Sequence, residues 1–240
     1  MIIQYDGTRY KGWQKQTEKV NTIQGTLENI LNKILKEDIQ LVGCGRTDTG
    51  VHALNYTANF HTNSNMLIDD MGKYICENLP DDIALLSIKN ASERFHARYN
   101  ILSKTYMYRI NNSGVKNIFD RRYIHYIGEK LDLEKMRNCS QILIGTHDFQ
   151  SFTTLKSKTK STVRTINYIN IEENDNVIEI EVNGNGFLWN MVRIILGTLI
   201  EAGKGKLTIS DIGNILNAKT RAEAGPMVPA KALFLKDVEY

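Results

Sequence analysis

The spacing of hydrophobic residues predicts helices and strands that alternate along the whole chain. Between residues 23 and 35, apolar side chains recur every three or four positions, which is the period of an amphipathic helix. Asn21 is the expected N-cap of this helix, because Gln24 follows three residues later, as in a capping box. Residues 53–62, "ALNYTANFHT", instead alternate between apolar and polar side chains. That alternation predicts a strand with one buried face.

The other segments continue the same alternation, beginning with a short strand expected at "IQLV" (39–42). In chain order, the pattern then predicts a helix over 67–79, a buried strand over 83–90, a strand over 103–110, a helix over 131–145, strands over 162–171 and 177–183, a helix over 186–203, a short helix capped by Ser210, and a last strand over 232–240. Pro80 is expected to end the first of these helices.

Strand–helix–strand sets occur in both halves of the chain. This order favours an α+β protein of two similar halves with mostly antiparallel sheets. We expect the halves to span residues 1–100 and 101–240, with the boundary near 98–103. No segment rich in Pro, Gly or Ser separates them, so we expect their sheets to join into one extended sheet.

Length and composition exclude several classes of protein. With 42% hydrophobic and 24% charged residues over 240 positions, the chain can bury a proper core. No apolar run approaches the roughly 20 residues of a membrane helix, and the N-terminus lacks the apolar region of a signal peptide. The three cysteines are widely spaced, with no CxxC pair that would indicate zinc. We therefore expect a cytoplasmic protein without a membrane segment or a disulfide framework.

The distribution of charge says more than the net charge of +3. No acidic residue occurs over 94–119 or over 149–171, and Asp48 is the only one over 39–68. The basic residues of the first two segments are Arg94, Arg98, Lys104, Arg109, Lys116, Lys156, Lys158, Lys160 and Arg164. Such segregation is what a surface that binds a polyanion requires, although chance clustering produces the same pattern.

The segment 43–53, "GCGRTDTGVHA", carries the candidate chemistry. Arg46 and Asp48 lie among three glycines in a predicted loop between two strands. A carboxylate can act as a nucleophile or a base without a cofactor, and a nearby cation favours its charged form. The alternative interpretation is an aspartate that merely closes a turn. The sequence contains no Walker loop, HExxH or GxSxG motif, and its five histidines show no metal-ligand spacing.

Five motifs, taken in order, resemble those of the tRNA pseudouridine synthase A family. "GRTDTGVHA" (45–53) resembles the catalytic motif of that family, and "YDGTRYKGWQKQ" (5–16) resembles its N-terminal signature. The other three are "LPDDIALLSIKNASERFHARYNILSKTYMYRI" (79–110), "NGNGFLWNMVRIILGTLIEAGKGK" (183–206) and "VPAKALFLKDVEY" (228–240). Because the match extends over nearly the whole chain, the protein is identified as a member of this family.

The resemblance implies four site residues. Asp48 matches the catalytic aspartate, and Arg46 matches the arginine that helps to bring the target base out of the stack. Tyr106 matches the tyrosine that packs on the uracil, and Arg193 matches the basic residue that pairs with the aspartate. Cys44, Thr49 and Ala232 depart from the usual family motifs, as does the segment "PMVPA" (226–230). Ala232 and this segment lie near the expected uracil pocket.

The resemblance also implies a reaction and a setting. We expect isomerisation of uridine to pseudouridine on the 3′ side of the anticodon stem-loop of tRNA (positions 38–40), in a cleft of a pseudouridine synthase fold. We expect no cofactor and no metal, since the reaction involves no redox change, and a homodimer whose two subunits contact one tRNA. Three routes need the same carboxylate: attack at C6 of uracil, attack at C1′ of the sugar, or help with removal of the C2′ proton.

Two alternative functions stay open on the sequence alone. The same chemistry can be directed at ribosomal RNA or at another region of tRNA. The chain can also be a non-catalytic RNA-binding module that uses only its basic surface. A module of that kind has no physical need for an arginine and an aspartate in a glycine-rich turn, so Asp48 separates it from the enzyme.

Overall fold

The computed structural model describes residues 1–17, 19–155 and 159–240. The chain folds into two compact units, one of residues 1–102 with 234–240 and one of residues 103–233. It thus leaves the first unit after residue 102 and returns to it for its last strand. In the described part of the chain, no helix is long and apolar enough to cross a membrane.

The first unit is a sheet with two helices. Its elements are β1 (Ile2–Tyr5), α1 (Ile23–Leu35), β2 (Val42–Gly43), β3 (His52–Asn59), α2 (Ile68–Asn78), β4 (Ile83–Ser87) and, at the end of the chain, β10 (Leu233–Glu239). Strand β1 lies between β3 and β4 and is antiparallel to both. Strand β10 runs parallel to β3, and β2 pairs antiparallel with the end of β3. The pairing of β10 with β3 is what brings the end of the chain back to this unit.

Helix α1 forms where the apolar period predicts it, but its expected cap is wrong. The N-cap is Thr22, whose hydroxyl accepts a hydrogen bond from the backbone N–H of Gly25 at 3.3 Å. The side-chain amide of Asn21 instead donates to the backbone carbonyl of Arg9. The Asn21 side chain thus contacts the N-terminal segment, and Thr22, one residue further along the chain, caps the helix.

Two strand predictions in this unit are also corrected. Only Val42 and Gly43 form β2, since the backbone N–H groups of Ile39 and Leu41 donate to side chains of α1 rather than to a neighbouring strand. The sequence predicts a buried strand at β4, but Leu86 is 48% exposed and Ile83 is the one buried residue in the strand. As the edge strand of its sheet, β4 is covered less than a central strand.

The second unit combines mostly antiparallel strands with helices. Its elements are β5 (Ser103–Asn111), β6 (His125–Tyr126), α3 (Leu133–Gln141), β7 (Gly145–Asp148), β8 (Val163–Asn174), β9 (Val177–Gly184), α4 (Met191–Gly203) and α5 (Ile209–Ala218). The strand order β5–β9–β8–β7 is antiparallel throughout, and β6 pairs parallel with β5. Asp175 and Asn176, both with positive φ, form the tight turn between β8 and β9. The α+β class with mostly antiparallel strands is thereby confirmed.

The starts of the last two helices differ from the predictions. Helix α4 begins at Met191 and not at residue 186, because Asn190 adopts a left-handed conformation with φ of 62°. Helix α5 is capped by Thr208 and not by Ser210. The hydroxyl of Thr208 accepts from the backbone N–H of Asp211, and the Asp211 carboxylate accepts from the backbone N–H of Thr208 at 2.8 Å. This reciprocal pair is a capping box.

Candidate active site

Arg46 and Asp48 lie in the loop between β2 and β3, as predicted. The two strands are antiparallel neighbours, with Val42 opposite Asn59 and Gly43 opposite Ala58. Residues 44–51 therefore connect two strands of one sheet. Arg46 is exposed and Asp48 is half-buried, whereas Thr47 between them is buried. The loop thus presents two charged side chains on either side of a buried anchor.

The N-terminal segment holds this anchor with two hydrogen bonds. The hydroxyl of Tyr5, at the end of β1, lies 2.8 Å from Oγ1 of Thr47. The backbone N–H of Trp13 donates to the backbone carbonyl of Thr47 at 3.1 Å. Side chain and backbone of Thr47 are therefore held separately, which limits how far Arg46 and Asp48 can move. The "YDG…GWQ" motif contributes to the site through these contacts, a role that its sequence does not reveal.

Gly12 allows the N-terminal segment to approach the loop closely, and Gly50 allows the loop to turn. Gly12 has φ of +87°, and a Cβ at this position would lie 2.5 Å from the backbone oxygen of Thr47. Gly50 has φ of +77°, and it precedes Val51, whose N–H donates to the carbonyl of Asp48 at 3.1 Å. Both conformations favour glycine, since a Cβ is disfavoured at positive φ.

Aromatic side chains pack beneath the first part of the loop. Trp13 and Tyr56 stack with ring centroids 4.0 Å apart, and Tyr5 contacts Tyr56 at 5.6 Å. The hydroxyl of Tyr56 donates to the backbone carbonyl of Gly45. The three rings are almost fully buried, so they provide a rigid support directly before Arg46.

His52, which the sequence leaves without a role, anchors the other end of the loop. Its ring is buried and stacks on Phe234 of β10 with centroids 4.8 Å apart. Its Nδ1 lies 3.1 Å from the backbone nitrogen of Gly7 and 3.0 Å from a carboxylate oxygen of Asp6. The "YDG" segment is thereby held against the start of β3. The position of His52 in the "GVHA" motif was the one signal available in the sequence.

Tyr106 lies in the middle of β5, in the second unit. It is opposite Val182 of β9 and is half-buried. The ring of Phe187 contacts the ring of Tyr106 edge-on, with centroids 5.3 Å apart and an angle of 85° between the planes. A contact of this geometry limits the tilt of the tyrosine ring.

Arg193 lies in the first turn of α4, also in the second unit. Its Nε donates to the carbonyl of Val228 at 2.8 Å, and a terminal nitrogen donates to Oδ1 of Asn190 at 3.3 Å. The Asn190 amide in turn donates to the hydroxyl of Thr154 at 2.8 Å. These contacts hold a half-buried guanidinium in one orientation. The expected pairing of Arg193 with Asp48 stays a prediction.

A second polar cluster lies beside Arg193 within the same unit. The buried Tyr108 hydroxyl lies 3.1 Å from Nδ1 of His125 and donates to the carbonyl of Pro229 at 3.1 Å. Burial lowers the pKa of His125 to about 4, and the positive charges of Lys231 and Lys204 contribute to the same shift. Burial also raises the pKa of Tyr108 well above its usual value. Both side chains are therefore uncharged at neutral pH.

The residues of the acid-free segments have different environments. Arg94, Arg98, Lys116 and Lys160 are exposed. Arg109 instead forms an ion pair with Glu179 across β5 and β9, with its Nε 3.1 Å from the carboxylate. Lys156 and Lys158 lie outside the described residues.

Within the described ranges, no group of three or more His, Cys, Asp or Glu side chains could hold a metal ion.

Comparison with known proteins gives consistent matches. A family model described as tRNA pseudouridine synthase matches residues 1–100 and 139–240. The tRNA pseudouridine synthase A 1 of Clostridium tetani is 57% identical over 240 residues, which is 100% of this chain and 98% of the relative. The tRNA pseudouridine synthase A 2 of the same organism is 44% identical over 239 residues, with coverages of 99% and 96%. A protein of that second name from Bacillus anthracis is 42% identical over 240 residues, with coverages of 100% and 98%.

Among solved structures, a chain in the crystal structure of a Cbf5–Nop10–Gar1 complex has a TM-score of 0.35 and 11% identity, covering 84% of this chain and 54% of that chain. A likeness this low adds nothing to the sequence matches.

The sequence matches place the protein among the pseudouridine synthases, a class of isomerases. Within that class, the chain belongs to the tRNA pseudouridine synthase family, and the family predicted from the motifs is confirmed.

Proposed function

We propose that this tRNA pseudouridine synthase acts on uridines on the 3′ side of the anticodon stem-loop, with Asp48 as its essential catalytic group. The observation that carries the proposal is the placement of Asp48. Its neighbour Thr47 is held by two hydrogen bonds, while Asp48 itself is only half-buried. A carboxylate fixed in this way can meet a substrate without first being ordered. The names of the relatives support tRNA as the substrate class.

The reaction moves one glycosidic bond within the nucleotide. The C1′–N1 bond breaks, the uracil turns, and a C1′–C5 bond forms. The hydrogen on C5 is then lost and N1 takes up a proton, so the product is an isomer of the substrate. Asp48 serves in each of three routes: attack at C6, attack at C1′, or assistance in removing the C2′ proton. Each route needs the same carboxylate beside the same nucleotide.

The other three residues act on the position of the base. A uracil inside a helix is out of reach, so the nucleotide must leave the stack, and we assign Arg46 to this step. Its exposure on the same loop as Asp48 supports the assignment. Tyr106, whose ring is perpendicular to that of Phe187, packs on the uracil. Arg193 pairs with Asp48, and loss of either partner would leave the other charge uncompensated.

Binding of tRNA falls to the exposed basic residues. Arg94, Arg98, Lys116 and Lys160 are exposed members of the two acid-free segments, and cations of this kind contact phosphates. We propose that the enzyme works as a homodimer whose two subunits contact one tRNA, and that it acts in the cytoplasm, where that substrate is found. The mass of the protein in solution, with and without tRNA, tests the dimer.

Release of tritium from the uracil ring tests the reaction and the role of Asp48 together. The purified protein is incubated with an unmodified tRNA transcript that carries tritium at uridine C5, and the released tritium is counted. The variant Asp48→Asn keeps the shape of the side chain and removes its charge. Asp81→Asn makes the same change at an exposed position before β4 and is the matched control.

We expect the wild type and Asp81→Asn to release tritium at the same rate, from the anticodon arm, and Asp48→Asn to release none. Release that survives Asp48→Asn contradicts the assignment of Asp48. Release from ribosomal RNA but not from tRNA keeps the chemistry and changes the substrate. No release from either RNA favours a non-catalytic RNA-binding module.

A further inference from the structure

We propose that Gln14 is a positioning residue for Arg46, and that it orients the guanidinium through a chain of hydrogen bonds that begins at the buried carboxylate of Glu28. The proposal rests on the function of Arg46 proposed above. The chain runs through Gln24, and its four members come from three separate segments of the first unit. It joins the N-terminal segment and α1 to the loop that carries Asp48.

The chain begins at Glu28, whose side chain is 4% exposed. One carboxylate oxygen accepts from the backbone N–H of Leu41 at 3.0 Å and from the side-chain amide of Gln24 at 2.9 Å. The other oxygen lies 3.0 Å from the ammonium of Lys15. A buried carboxylate with these partners is fixed in place and can only accept hydrogen bonds.

The orientation of Gln24 follows from the charge of Glu28. Because a carboxylate only accepts, the Gln24 NH₂ group must face it, and the same group donates to the carbonyl of Leu41 at 3.1 Å. The amide oxygen of Gln24 therefore faces the other way. It accepts from the backbone N–H of Lys15 and from the NH₂ group of Gln14, both at 2.9 Å.

The same reasoning sets the orientation of Gln14. Its NH₂ group donates to Gln24, so its amide oxygen is the atom that faces Arg46. That oxygen accepts from Nε of Arg46 at 3.1 Å. A reversed amide would place an NH₂ group against the guanidinium, where two donors would meet. The direction of every bond in the chain is thus determined by the buried carboxylate.

This contact suits an arginine that must act on RNA. It uses one of the five N–H donors of the guanidinium, so the terminal nitrogens can contact a base edge or a phosphate. Without a partner, an exposed arginine side chain samples many rotamers. The side chain loses this freedom when it enters the base stack of the RNA. Holding Arg46 in advance reduces that loss, which is the general advantage of preorganisation. Gln14 remains neutral and leaves the charge of Arg46 available to the RNA.

Because the contact itself is exposed, its effect needs a test that separates positioning from stability. We would compare Gln14→Ala, Arg46→Ala and the double variant, with Gln16→Ala as the matched control. Gln16 is another exposed glutamine of the same segment. Three quantities are measured for each protein: kcat and KM by tritium release from tRNA, the fluorescence of 2-aminopurine next to the target uridine as a report of base extrusion, and the midpoint of thermal unfolding.

We expect Gln14→Ala to lower kcat about tenfold and to weaken the 2-aminopurine signal, while KM and the unfolding midpoint stay near the wild-type values. KM should change little because phosphate contacts elsewhere dominate tRNA affinity. Adding Gln14→Ala to Arg46→Ala should have no further effect on kcat, since the two residues act as a unit. Gln16→Ala should match the wild type in all three measurements.

Five outcomes overturn the proposal, and they are distinguishable. A wild type that releases no tritium from tRNA overturns the proposed function, and this proposal with it. A wild-type rate for Arg46→Ala overturns the role of Arg46. A slow Arg46→Ala with a normal Gln14→Ala overturns only the positioning role of Gln14. An equal loss of kcat from Gln14→Ala in both backgrounds shows that Gln14 acts independently of Arg46. A loss of kcat that follows the unfolding midpoint shows that Gln14 acts through stability and not through positioning.

Discussion

The hydroxyl of Tyr5 lies 2.8 Å from Oγ1 of Thr47, the buried residue between Arg46 and Asp48. Tyr5 ends the first strand of the sheet, so the loop that carries the candidate catalytic carboxylate is tied to the core of its unit. A second hydrogen bond, from the backbone N–H of Trp13, holds the carbonyl of Thr47. The position of Asp48 is therefore set by residues of the N-terminal segment, far from it along the chain.

Substitution Tyr5→Phe tests the hydrogen bond between Tyr5 and Thr47. It leaves the ring in place and removes the partner of a buried hydroxyl, which should lower the free energy of unfolding by about 1–3 kcal/mol. Because a small displacement of a catalytic group slows a reaction strongly, kcat should fall by about tenfold or more with KM little changed. Urea unfolding and tritium release measure the two effects.

The control for Tyr5→Phe is the double variant Tyr5→Phe with Thr47→Val. Replacing both polar partners with apolar groups of similar shape should recover most of the lost stability, because no hydroxyl is then left unsatisfied. The value of kcat should stay low, since the hydrogen bond between residues 5 and 47 is still absent. A wild-type rate in either variant would mean that the backbone bond from Trp13 alone positions the loop.

Gly12→Ala should displace the loop by pushing against the backbone of Thr47. The new Cβ would lie 2.5 Å from the backbone oxygen of Thr47, and φ at Gly12 is +87°. Both features oppose a side chain, so we expect the stability to fall by about 1–3 kcal/mol and tritium release to be nearly lost. Stability is measured by urea unfolding and activity by tritium release under saturating tRNA.

Gly213→Ala provides the matched control for Gly12→Ala. Gly213 lies inside α5, and a Cβ there meets no atom within 4 Å in the part of the chain described. Alanine in a helix interior should raise the stability by about 0.5–1 kcal/mol and leave the activity unchanged. An activity loss in both variants would mean that the effect at Gly12 is not specific to its contact with Thr47.

Stability should fall in mild acid because of His125. Its pKa is about 4 in the folded protein, owing first to burial, and about 6.5 in the unfolded chain. Between these values the unfolded state binds more protons, so stability rises with pH from about 4 to about 6.5 and is lost as pH falls through this range. With partial exposure reducing the effect, His125 should account for about 1–2 kcal/mol.

Urea unfolding of the wild type and His125→Gln at pH 7 and pH 5 measures this contribution. Carboxylates also titrate near the lower pH, so the informative quantity is the difference between the two proteins. Glutamine keeps hydrogen-bonding atoms near Tyr108 but gains no proton. The variant should lose less stability than the wild type on going from pH 7 to pH 5, and an equal loss in both proteins would contradict the prediction.

Helix predictions from the sequence succeed where a repeating pattern extends over many residues and fail at single positions. The apolar period over 23–35 corresponds to α1 because a helix has to bury one continuous side. The cap is different, because Asn21 and Thr22 both suit that position chemically. In the folded protein Thr22 caps the helix and Asn21 donates to the carbonyl of Arg9, a contact that exists only once the N-terminal segment is folded. Exposure of β4 is likewise set by its place at the sheet edge.

By itself, the sequence determined the α+β class, most of the elements, the family, and the loop that carries Arg46 and Asp48. The elements and the loop depend on periodicity within one segment or on residues adjacent in the chain. The class and the family depend on the order in which such local patterns follow one another along the chain. Only the tertiary structure decided that Tyr5 holds Thr47, that Gln14 contacts Arg46, and that β10 returns to pair with β3. Each of these depends on contacts between residues distant in the chain, and such contacts leave no periodic signal because they form only when separate segments pack together.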